Sequence, residues 1–387
     1  MVVKRNWIGY VISSDEHQDL IPNGLPDSKV NQSCTRPVAK VGFMKTHKTA
    51  SSTVQNILMR YGMNSGWNFV MLSHGTHLGP PRNQYSLTEQ FSSSWIQNVP
   101  WKSMTDDEGY NIFALHTKWN QLEVEKVLGL GTKYVTILRD PVDAFESLYN
   151  YLNFKSEFNM DLEQFVSTYV SGAGGSRKKH IHRILGYLGR NQQLWDLGLD
   201  EDELESQEAV QNKIKDINKD FDLVMISEDF DSSVVLLSNT LCWPLANLTS
   251  LQLNARKKSK VQKLSQEARD ALKSWLWADY MLYDFFKMEL DRKKIEYGQD
   301  DLKENVNTLM KLNEKLKEEC VIDVVDETEN LSADFVPWSK DVQGFKINEA
   351  KPHCKYYGIA ENQFIEYLRK LQIERFSILQ KRKLNQK

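Results

Sequence analysis

VAKVGFMKTHKTASSTVQNILMRYG, residues 38–62, decides the fold. Val38 to Met44 is a short apolar run of the length of a buried strand. Lys45 to Thr53 is polar at every position but Ala50. Val54, Ile57, Leu58 and Tyr61 then recur at helical spacing, which predicts a helix from Ser52 to Tyr61 closed by Gly62. A loop between a strand and a helix points backbone N–H groups, and the positive end of the helix dipole, at the space above the sheet. That makes an anion site. Lys45 and Lys48 add charge to it, and the Ser and Thr hydroxyls add donors. It is not a Walker A loop, because His47, not a glycine, stands immediately before Lys48. A solvated turn of the same composition is the plain alternative.

Three more short apolar runs follow: Ile112–Leu115, Lys133–Leu138 and Phe221–Ile226. Asp140-Pro141 opens a helix to about Leu152, with Asp as N-cap and Pro in the first turn. A second helix is expected from Ser233 to Cys242. Strands alternating with helices predict an α/β domain, a P-loop-like three-layer fold with a mainly parallel sheet. Residues 1–37 read as a polar stem or arm, 38–290 as the main domain, and 291–387 as a helical extension packed on it. In the approach to that extension, the aromatic stretch Trp275–Phe286 reads as a core helix. Leu302, Val306, Leu309, Leu316 and Cys320 mark an amphipathic helix. Arg375–Lys387 reads as a solvated helix end.

Composition narrows the function. With 387 residues, 41% of them hydrophobic, the chain has ample material for a core. The net charge of −3 gives no basic field for nucleic acid. Cys34, Cys242, Cys320 and Cys354 form no C-x-x-C pair, so no metal site is expected. The apolar stretch Trp7–Ile12 is far short of the ~20 residues that cross a bilayer. Asn31, Asn247 and Asn330 stand in glycosylation sequons.

Two further constellations follow the strands. In TILRDPVDAFES, residues 136–147, Arg139 sits at a strand's carboxyl end, where open α/β sheets bind ligands. Ser147 lies two helical turns on, and Arg can fork onto a phosphate. A capped helix with Arg139 paired to a carboxylate is the alternative. In HTKWN, residues 116–120, His116 follows a strand and is a candidate general base, against a histidine in a surface loop.

Together, VGFMKTHKTASST, NIFALHTKWN and YVTILRDPVDAFESLYNYL resemble the galactose-3-O-sulfotransferase family, galactosylceramide sulfotransferase among its members. GRNQQLWDLGL (189–199), FDLVMISEDFDSSVVLLSNTLCW (221–243) and LNAR (253–256) extend the resemblance. It implies transfer of a sulfuryl group from 3′-phosphoadenosine 5′-phosphosulfate (PAPS) to the 3-hydroxyl of galactose on a glycolipid or glycan, with no metal. Lys45, Thr46, His47, Lys48, Thr49, Ala50, Ser51, Ser52 and Thr53 match the 5′-phosphosulfate loop, and Arg139 and Ser147 the 3′-phosphate contacts. His116 is the favoured base and His47 the alternative, with Lys45 or Lys48 stabilising the leaving group. The resemblance implies a Golgi lumenal or membrane location, with a single-pass type II anchor not visible in this sequence, and paired cysteines. Four cysteines allow three pairings. Another acceptor position, a non-catalytic relative, and homodimerisation stay open.

Overall fold

A computed structural model describes residues 34, 36–172, 183–184, 186–253, 255, 263–325, 331–336 and 342–385. Almost all of the stem, the sequons at Asn31 and Asn330, and Asn254 and Arg256 of LNAR lie outside the described residues.

The central sheet has four strands, β1 (Val41–Met44), β2 (Ile112–Phe113), β3 (Lys133–Leu138) and β6 (Leu223–Ile226), while β4 (Arg183–Ile184) and β5 (Leu188–Gly189) pair with each other apart from it. The order in the central sheet is β2-β1-β3-β6, and every pairing in it is parallel. Successive side chains of a strand point to opposite faces. The unbroken burial of β1 and β6 therefore means that the sheet is covered on both sides, as in α/β folds. From β1 the chain runs out to β2 and then returns to β3 on the other side. β1 is thus a point where the winding reverses, and ligands sit at the carboxyl ends there.

β3 spans its whole apolar run, while β1, β2 and β6 are shorter than theirs, β1 and β6 for identifiable reasons. The Val38 N–H donates to the Leu241 carbonyl instead of a strand, and Phe221 caps the preceding helix Gln207–Asp220. Gly62 does not close the first helix, which runs Ser51–Asn64. A Cβ on Gly62 would meet the Phe69 ring at 2.9 Å, so the glycine permits close packing, while Gly66, at φ +67°, follows the helix end. The helix after β6 is Phe230–Leu241. The aromatic stretch splits at Leu276 into Gln266–Trp275 and Trp277–Tyr297, and the amphipathic helix spans Gln299–Cys320.

Beyond residue 290 the chain adds an antiparallel pair, β7 (Val321–Val325) and β8 (Gly344–Ile347), and a helix, Glu361–Asn385. Leu302, Leu309, Phe345, Phe364 and Leu368 share one contiguous core with β1 and β3. The basic end is not simply solvated: Arg375 donates to Glu108 and the Gly66 carbonyl, and Lys383 reaches Asp107. The cysteines pair as Cys34–Cys242 and Cys320–Cys354.

Candidate functional site

The loop after β1 turns without glycine. Lys48 (φ 62°) and Ala50 (φ 65°) both take left-handed backbone, a conformation that costs a non-glycine residue roughly 1–2 kcal/mol. Internal hydroxyls hold it there. Thr46 donates to the Ile137 carbonyl at 2.5 Å and meets Thr49 at 2.7 Å, Ser51 donates to the Thr46 carbonyl at 2.6 Å, and Thr53 accepts from the Leu253 N–H. Thr46 and Thr53 are thus spent on the scaffold and do not reach the cavity wall, which Lys45, His47, Lys48 and Thr49 to Ser52 line. Ala50 caps the helix without a side-chain acceptor, leaving its first-turn N–H groups uncapped.

Lys45 is 1% exposed and its ammonium is fully engaged. It donates to His116 Nε2 at 2.8 Å and to Ser52 Oγ at 3.2 Å, and it pairs with the Glu361 carboxylate at 3.0 Å. Ser52 also donates to Glu361, at 2.8 Å. Burial alone would raise the Glu361 carboxyl. Lys45 and Ser52 outweigh it and hold the group below the usual carboxylate range. His116 Nδ1 faces the Lys45 carbonyl at 3.0 Å, which assigns the proton to Nδ1 and the lone pair to Nε2. Burial first, then the Lys45 charge, pushes His116 well below the ordinary histidine value, so it is neutral near pH 7.

His47 stacks on His116 with ring centroids 4.2 Å apart, and His77 also stacks on His116, at 5.3 Å. His77 arrives through a parallel bridge to His116. Burial and then the neighbouring His47 lower its pKa to about 4. The Asp196 carboxylate receives both the His47 backbone N–H, at 2.7 Å, and Nδ1, at 2.9 Å.

Arg139 follows β3, and its guanidinium donates to the Lys48 carbonyl at 3.1 Å. The two loops therefore touch, and Ser147 lies in the same wall. The Gln193 side chain grips the Arg139 backbone, accepting from its N–H and donating to its carbonyl, both at 2.9 Å. One short helix, Gln192–Asp196, thus pins both loops. Buried Asp279 accepts from its Gln193 and Leu194 N–H groups, and burial pushes the Asp279 carboxyl up to about 7. The enclosing cavity measures about 990 Å³. C-terminal residues, among them Phe335, Phe345, Ile359 and Glu361, complete its lining.

Of the candidate site residues of the sequence, all but Thr46 and Thr53 line this cavity. Asp196, Gln193, His77, Asp279 and Glu361 are additions. Asp196 and Gln193 stood in GRNQQLWDLGL, where polar side chains beside Leu194 and Trp195 signal buried hydrogen bonding. Glu361 carried no local signal. Among the described residues, the sulfurs of Cys320 and Cys354 lie beside His353, but they are bonded to each other and leave no thiolate for a metal. No helix among the described residues is long and apolar enough to cross a membrane.

A parallel sheet, a lysine-bearing loop ahead of its first crossover helix and an arginine after the neighbouring strand define an α/β protein with a cavity that these lysines and the arginine line. A sequence model of the galactose-3-O-sulfotransferase family matches residues 13–372, and the chain belongs to that family, a family of sulfotransferase enzymes. Galactosylceramide sulfotransferase of Bos taurus is 29% identical over 321 residues, 81% of this chain and 73% of the relative. Galactose-3-O-sulfotransferase 2 of Sus scrofa is 32% identical over 74% of this chain and 70% of its own length. Galactose-3-O-sulfotransferase 3 of Bos taurus is 28% identical over 87% of this chain and 79% of its own length.

Proposed function

We propose that this sulfotransferase uses PAPS as donor and the 3-hydroxyl of a galactose, on a glycolipid or glycoprotein glycan, as acceptor. The observation that carries the reading is the convergence of Lys45, His116 and Arg139 on one cavity. The residues fit the donor's chemistry. Uncapped N–H groups, Ser52 and two lysines suit a 5′-phosphosulfate, and a guanidinium with a serine suits a 3′-phosphate.

His116 is proposed as the base. Its Nδ1 is committed to the Lys45 carbonyl, and burial and the Lys45 charge keep the ring neutral. Its Nε2 lone pair accepts from the Lys45 ammonium, which must turn to the donor's bridging oxygen before Nε2 can take a proton. It takes the acceptor hydroxyl's proton as the oxygen attacks sulfur and the bond from sulfur to the nucleotide's bridging oxygen breaks. Lys45 or Lys48 compensates the charge that grows on that oxygen. No metal enters this scheme. His47, with Nδ1 held by Asp196, is the alternative base.

A Golgi lumenal location fits two disulfides, which persist in oxidising compartments. The test is transfer of labelled sulfate from PAPS to a panel of galactosylceramide, N-glycan and mucin-type acceptors, with 3-O-methylgalactose analogues as controls. Label on the 3-O-methyl acceptors, or none on any acceptor, overturns the reading.

A further inference from the structure

Glu361 is the acidic side chain that meets Lys45 and Ser52, two residues of the anion loop, at hydrogen-bonding distance. Its carboxylate accepts from the ammonium of one and the hydroxyl of the other, beside the uncapped start of the helix Ser51–Asn64. A carboxylate there satisfies the same donors that a phosphate or sulfonate oxygen would. It is 24% exposed, toward the cavity, whereas Lys45 is almost wholly enclosed. It comes from the first turn of the Glu361–Asn385 helix, not from the sheet.

We infer that Glu361 is a stand-in anion: with no donor bound it occupies the place between Lys45 and Ser52, and it yields that place to the donor's anionic group. The inference rests on the donor-loop part of the reading above. Its physical content is a competition. Without a counter-charge a buried ammonium is expensive, so before the donor binds Lys45 needs a carboxylate. With the donor present the same carboxylate is a like charge a few ångströms from the incoming oxygens, and it opposes binding. Glu361 thereby ties the seating of the C-terminal helix to donor occupancy.

The test is calorimetric titration of the full chain, wild type and Glu361→Gln, with two probes: adenosine 3′,5′-bisphosphate and inorganic pyrophosphate. Glutamine keeps the shape and removes the charge. The expected result is a gain: Glu361→Gln binds both probes roughly ten- to a hundredfold tighter, as removal of a like charge at contact distance predicts. A purely structural role would weaken binding or leave it unchanged, and either result overturns the inference. A Ser52→Ala variant guards against misfolding. It loosens Glu361 without touching the charge, so it must show a smaller gain or a loss. Tighter pyrophosphate with no nucleotide binding in either protein would keep the inference and sink the PAPS reading. Equal nucleotide binding in both would do the reverse, and no binding of either probe by either protein removes both. The thermal shift gives an independent readout. The unliganded variant melts lower than wild type and gains more from each probe; a smaller gain counts against the inference.

Discussion

A single carboxylate, Asp196, takes two hydrogen bonds from His47, one from the backbone N–H at 2.7 Å and one from ring Nδ1 at 2.9 Å. It fixes the path of the Lys45–Thr53 loop and the orientation of an imidazole that lines the cavity at once. Asp196→Asn keeps the shape, and one oxygen reaches both the backbone N–H and Nδ1, so the contacts persist but without the carboxylate's charge. Turnover should fall about 10–100-fold, the rate equivalent of a charged hydrogen bond worth ~1.5–3 kcal/mol. Single-turnover rates at saturating donor check this, and an unchanged rate would reduce Asp196 to scaffold.

Arg139 is the proposed reader of the 3′-phosphate. Arg139→Ala should weaken adenosine 3′,5′-bisphosphate by about 2–5 kcal/mol, the range for truncating one partner of a buried charge pair. Adenosine 5′-phosphate should lose far less. Equal losses in parallel titrations would show that the arginine acts on the loop through Lys48 and does not read the phosphate.

The two histidine candidates separate by pH. Substituting the base with Ala should lower turnover by ~10²–10⁴. Because burial and Lys45 hold His116 down, the acid limb of the wild-type profile lies below the ordinary histidine value of about 6.5. His116→Ala should abolish that limb and His47→Ala should retain it. The opposite pattern assigns the base to His47.

Acid stability carries a separate signature. His77 has a folded-state pKa of about 4 against about 6.5 in an unfolded chain. A depressed histidine contributes stability above its unfolded value and loses it as pH falls toward the folded one. Up to roughly 3 kcal/mol should therefore disappear between pH 6.5 and 4. Urea unfolding at stepped pH should show a shallower loss in His77→Gln; an identical slope would mean that His77 is not held neutral.

The Cys320–Cys354 bridge closes a loop with a sequence separation of 34 residues, just ahead of the helix that carries Glu361. The Cys320→Ser/Cys354→Ser double variant should lose about 2–4 kcal/mol of stability in urea. A loss well under 1 kcal/mol would mean that the unfolded chain is already constrained there.

What the sequence revealed follows from distance along the chain. Asp140 and Pro141 announced their helix because a cap acts on the residue three positions on; Asp140 indeed accepts from the Asp143 N–H. The Lys45–Thr53 loop was legible for the same reason, being flanked directly by its strand and helix. Gly62 was misread because a glycine that admits a Phe69 ring looks, in sequence, like one that ends a helix. The partners of the loop were not legible. Asp196 reaches His47 across 149 residues and Glu361 reaches Lys45 across 316, and no periodicity encodes such a meeting.

That last separation has a consequence for biosynthesis. At ~5–20 residues per second, a ribosome spends on the order of 15–60 s between making Lys45 and making Glu361. The sheet and the anion loop can form in that interval, while the ammonium at their centre has only neutral partners. A nascent chain in this window carries an anion trap with no occupant of its own. Its order of assembly then depends on which reaches Lys45 first, an ion from the surroundings or the chain's own last helix.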